Sequence, residues 1–194
     1  MSDVAVTPIP WELPDRGKVG VVCLIITEAA LFTIFVVAYV FYVGKSITGP
    51  FPNEVLELPI LSTICLLSSS LTVTIAERGL RRGSRETFHL WLAATILLGG
   101  IFLAGTAMEW KKLIVHDHLT IATNLFGTTF YSLVGLHASH VVIGLTLLSI
   151  VLVASLRSDV MLHNERRFVL LAWYWHFVDV VWVIVFTVVY VYGR

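Results

Sequence analysis

The chain has 194 residues, 57% of them hydrophobic and 13% charged, with thirteen basic and thirteen acidic side chains that cancel. A soluble domain carries about twice that charged share, so an ordinary soluble domain is excluded. The balanced charge also gives no sign of a nucleic-acid partner.

Residues 1–18 open with "MSDVAVTPIPWELPDRG". This tail is proline-rich and has no basic stretch leading into a short apolar core. It reads as neither a signal peptide nor a lipidation motif. Five apolar segments follow, each able to cross a hydrocarbon core that takes about 20 helical residues. They are predicted at 19–43, 58–76, 88–110, 125–156 and 168–192. The expected fold is therefore all-α, a single five-helix transmembrane domain over 19–193. Polar stretches join the spans, among them the basic "ERGLRRGSRET". All six prolines lie at or before Pro59, so nothing kinks the last three spans. Cys23 and Cys65 fall in separate apolar runs and read as small packing residues rather than a disulfide or zinc framework. Gly100 with Ala104, and Gly135 with Ser139, are small residues four apart that would let helices approach closely.

Basic residues set the orientation. With five spans, the tail and the second and fourth connections share a side, which holds Arg16, Lys18, Arg78, Arg81, Arg82, Arg85, Arg157, Arg166 and Arg167. Lys45, Lys111, Lys112 and Arg194 fall on the other. That bias predicts a cytoplasmic N-terminus and an external C-terminus.

Ionisable groups in mid-membrane are costly and usually face protein, water or a partner. Glu28 lies ~14 Å into the first span at 1.5 Å per residue. His176 is at similar depth on the last span, with Asp179 three residues on and so on the same face. His137 and His140 repeat that spacing on the fourth span. These five form a candidate buried polar network, with His137 or His140 as the expected partner of Glu28. Glu109 belongs at the outer end of its span, beside Lys111 and Lys112. A di-iron site would require Glu-x-x-His pairs with further glutamates, and these five residues supply none. A haem held by histidines on facing helices, a transport path and a structural network all remain open on these residues.

Longer motifs go further. "AWYWHFVDVVW", followed by an apolar run and Tyr-Gly, resembles the closing helix of subunit III of haem–copper terminal oxidases. "FGTTFYSLVGLHASHVVIG" is similar to that family's penultimate helix, "IITEAALF" to its glutamate-bearing helix, and "AMEWKK" to the acidic-aromatic end of another. The matches come in order over roughly residues 18–193. The resemblance implies a five-helix bacterial form, without the two N-terminal helices of the long form. It implies a non-redox accessory subunit of a cytochrome c oxidase that binds no metal and has no catalytic residue. Haem and copper would lie in partner subunits I and II. The subunit would contact subunit I directly, stabilise it and sustain proton uptake. A quinol oxidase or a nitric oxide reductase-associated protein is the alternative setting. The implied location is the bacterial cytoplasmic membrane. Structural phospholipid is expected, its headgroups near Arg157, Arg166 and Arg167, with His163 between them.

Overall fold

The computed structural model describes residues 15–158 and 165–193. Five long helices run back and forth: α1 (Arg16–Tyr42), α3 (Ile60–Arg81), α4 (Arg85–Val115), α5 (Leu125–Arg157) and α6 (Glu165–Phe186). A four-residue helix, α2 (Pro52–Val55), sits in the first connection and was not foreseen. α6 continues into a π-helical end, Thr187–Tyr192, sealed by Gly193 N–H donating to Val188 O at 3.0 Å. All five long helices are long and apolar enough to cross a membrane. Among the described residues there is no strand.

Local chemistry explains the ends. Asp15 caps α1 by accepting from Gly17 N–H at 2.9 Å, satisfying a donor that the first turn leaves free. Gly83 takes φ +71° in the tight α3–α4 turn, a conformation that disfavours a Cβ. Asn124 does two jobs. Its Oδ1 accepts from Gly127 N–H at 2.8 Å, capping α5. Its Nδ2 donates to Thr48 O and Pro50 O, at 2.9 and 3.1 Å, tying the first connection to the start of α5.

α6 is the post of the bundle. Trp175 and Trp182 lie two turns apart on it and are both fully buried. The Trp175 ring fits where α4 and α5 carry glycines: a Cβ on Gly144 would meet the ring at 2.7 Å, and one on Gly99 at 3.1 Å. Its Nε1 donates to Ser69 Oγ of α3 at 2.9 Å. Trp182 donates to Thr63 Oγ1 of α3 at 3.2 Å and packs edge-on to Phe102 of α4 at 4.7 Å between ring centres. Each indole therefore joins α6 to α3 and to at least one further helix. α1 is the opposite case: it packs on α5, α6 and the π-helical end, and buries only Phe32 and Tyr39.

Close approach falls on only one of the two expected small-residue stripes. A Cβ on Gly100 would meet nothing within 4 Å, so the Gly100–Ala104 stripe does not seat a helix; neighbouring Gly99 does. The rotation of α4 turns Gly99 inward and leaves Gly100 beside open space. Gly135 does face a neighbour, with Trp110 3.3 Å from a Cβ placed there.

Candidate functional site: a divided polar interior

The five polar residues form three separate groups rather than one network. The first joins α1 to α5. His140 Nε2 lies 3.1 Å from Glu28 Oε2, with the side chains 10% and 24% exposed. His140 Nδ1 lies 2.8 Å from Leu136 O. A carbonyl can only accept, so Nδ1 carries a proton. A further proton must then lie between Nε2 and Oε2, whichever atom holds it. Tyr174 of α6 donates to the His140 carbonyl at 3.3 Å, and Phe32 of α1 packs its ring edge 5.0 Å from the imidazole. Glu28 and His140 open onto a cavity of about 310 Å³ walled by Leu24, Ile143, Leu147, Leu171 and Tyr174.

The second group joins α3 to α6. Ser70 Oγ donates to Asp179 Oδ2 and lies 2.9 Å from His176 Nδ1. A hydroxyl has one proton. With it committed to Asp179, His176 must donate from Nδ1 to Ser70. Thr74 Oγ1 approaches His176 Nε2 at 3.4 Å. Serine, histidine and aspartate thus meet, but in the wrong order for a nucleophile. In a hydrolytic triad the imidazole stands between the other two; here the serine does. Asp179 is 3% exposed, and its Oδ1 has no hydrogen-bond partner.

The third group is His137 alone. It is 1% exposed, and neither ring nitrogen has a hydrogen-bond partner. Phe32, Phe102 and Trp182 surround it, with ring centres 6.4, 5.8 and 5.0 Å away. His137 is therefore not the partner of Glu28. Among the described residues, no group of three or more His, Cys, Asp or Glu could hold a metal ion.

Glu109 lies near the C-terminal end of α4, just before Lys111 and Lys112. Tyr190 on the π-helical end donates to its Oε2 at 2.9 Å, while Lys112 turns to Glu57 at 2.5 Å. The arginines do not gather at one cavity. Arg157 lines a groove on the α4–α5 side, and Arg166 lines a smaller cavity with Asp15, Lys18 and Arg81. Arg167 is exposed. His163 lies outside the described residues. The sequence reading missed the hydroxyls of α3. Ser69 and Thr72 bond their own backbone, and with Ser70 they also reach Trp175, His176, Asp179 and, at 2.7 Å, Thr95 of α4.

Five spanning helices held together by buried side-chain hydrogen bonds define a multi-pass membrane protein. The family model described as cytochrome c oxidase subunit III matches residues 15–194. A protein named cytochrome c oxidase subunit 3 from Alkalihalophilus pseudofirmus is 35% identical over 168 residues, which is 86% of this chain and 82% of the relative. One of the same name from Bacillus sp. PS3 is 35% identical over 86% of this chain and 81% of the relative. One from Scyliorhinus canicula is 40% identical over 75% of this chain and 54% of a longer relative. The chain belongs to the cytochrome c oxidase subunit III family.

Proposed function

We propose that this chain is the non-redox accessory subunit of a respiratory cytochrome c oxidase in the bacterial cytoplasmic membrane, where it stabilises catalytic subunit I and sustains proton uptake during oxygen reduction. The observation that carries this is the family match across the whole described bundle, on which Glu28 with His140, and His176 and Asp179 with Ser70, join helices. Haem and copper belong to the partner subunits in this reading. The tail, the α3–α4 turn and the α5–α6 connection face the cytoplasm, in keeping with the basic bias. Structural phospholipid occupies the cavity beside Glu28 and His140. That cavity shares Leu170 with the polar one lined by Lys18, Arg81 and Arg166, so an acyl chain in the first would have cations at its head.

The test is purification from membranes through a tag on this chain in a mild detergent. Partner subunits carrying haem and copper are expected in the eluate. The chain, once separated from them, is expected to show no Soret band and no stoichiometric transition metal. A haem or metal retained by the separated chain, or an eluate without partner subunits, overturns the assignment.

A further inference from the structure

The α3–α6 group has its serine in the middle, which is the order of a relay. A hydroxyl has one proton to give and lone pairs to receive another, so it can take a proton on one side and release one on the other. Thr74 fixes one end of the group. Its hydroxyl donates to Ser70 O at 2.9 Å, so toward His176 it can only accept, and Nε2 at 3.4 Å is the donor. Two proton placements then satisfy the group equally. In one, Nδ1–H donates to Ser70, Ser70 donates to Asp179 Oδ2, and an imidazolium faces a carboxylate. In the other both bonds reverse, and a neutral imidazole faces a carboxylic acid.

We infer that Ser70 carries a proton between His176 and Asp179, and that Asp179 is a proton store within the bundle. The step balances. The Asp179 O–H bond breaks and its proton bonds to Ser70 Oγ, while the Ser70 proton leaves for His176 Nδ1. A neutral pair becomes an ion pair, with no proton gained or lost. The neutral pair is the resting form, because separated charges are costly away from water. Asp179 is 3% exposed and one of its oxygens has no hydrogen-bond partner, which penalises the carboxylate further. His176 is the way in, being only partly buried where Asp179 is closed off. Glu77, one turn beyond Thr74 on α3, is the charged group that acts on His176, and Arg81 holds it at 2.6 Å. The membrane potential is a weak drive for this transfer. Three residues on α6 separate His176 from Asp179 by ~4.5 Å, about 15% of a ~30 Å core, which changes the balance by a factor of about 2 per 100 mV. The groups end at Asp179 Oδ1, so a proton enters and leaves by the same route. This inference stands on the geometry of the bundle and not on the accessory-subunit reading.

The test follows the carboxyl by infrared spectroscopy in the complex purified through this chain. Asp179→Asn should remove one carboxylic-acid C=O band, which identifies Asp179 as protonated. On transfer to D₂O that band should shift promptly in wild type, because the relay exchanges its proton. Ser70→Ala cuts the relay, and exchange should slow roughly a hundredfold, the lower end for a positioned proton-transfer group. His176→Gln leaves Ser70 in place and should slow exchange as much. Ser70→Thr keeps the hydroxyl and should keep the wild-type rate. Thr72→Val, on the same helix but outside the relay, should not change it. A merely structural role predicts the opposite sign, since loosened helices exchange faster. The inference is overturned if Asp179→Asn removes no band. It is also overturned if exchange in Ser70→Ala and His176→Gln equals or exceeds the wild-type rate, or if Ser70→Thr is as slow as Ser70→Ala. Where Ser70→Ala fails to assemble, His176→Gln carries the comparison.

Discussion

At the scale of residues, the Glu28–His140 pair shows how proton placement sets the cost of a substitution. Since Nδ1–H is committed to Leu136 O, Nε2 needs something opposite it that can donate. Glu28→Gln keeps a donor there through its amide, so stability and assembly should be nearly unchanged. Glu28→Leu leaves a buried ring nitrogen unsatisfied, costing about 1–3 kcal/mol. Thermal unfolding of the two variants checks this, and a leucine variant as stable as the glutamine one would contradict it. Ser70 is the sharper case, because it bridges an imidazole and a nearly inaccessible carboxyl. Ser70→Ala should cost more than Thr72→Val, whose interhelical bond falls in a class averaging ~0.6 kcal/mol in membranes. Equal losses would contradict the bridging role. The pairing of Glu28 with an imidazole of the fourth span was legible in depth alone. Which imidazole was not: His137 and His140 differ by three residues, about 60° around the helix, and only the packed rotation of α5 chooses between them. The partners of the α3 hydroxyls were equally hidden, since a serine's spacing in its own helix says nothing about what lies across from it.

At the scale of elements, the tryptophan pair on α6 explains why the closing motif reads as it does. Each indole lies against α3 and a further helix, and Trp175 needs glycine opposite it on both α4 and α5. Gly144→Val should therefore cost about 1–3 kcal/mol by overpacking, seen as a lowered unfolding temperature. Gly100→Val, facing open space, should cost much less; similar losses would mean that the two glycines are not distinguished by their surroundings. The sequence made both small-residue stripes visible, and it placed the helices well because length and apolarity decide span existence. It did not reveal which glycine faces inward, since Gly99 and Gly100 are adjacent and a 100° turn separates their roles. Tyr190 was hidden for a related reason. It lies in a π-helical stretch, where i→i+5 bonding shifts the register away from the 3.6-residue period that sequence reasoning assumes.

At the scale of the whole molecule, the basic bias makes topology testable. In a chain with Cys23 and Cys65 replaced by serine, Thr48→Cys should react from outside intact cells with a membrane-impermeant maleimide, while Ser84→Cys should not. The reverse pattern would invert the bundle. The uneven packing of α1 has a consequence in time. α3 and α4 are joined by a tight turn and can pair as soon as both are made, but α1 has its principal neighbours in α5 and α6. From Tyr42 to Leu125 the ribosome must add 83 residues, which takes roughly 4–17 s at ~5–20 residues per second. During that interval α1 carries Glu28 without the imidazole it meets in the finished bundle. A nascent chain that stalls before His140 emerges is thus left with an unpaired acid on a helix apolar enough to span the membrane, a costly group to hold there.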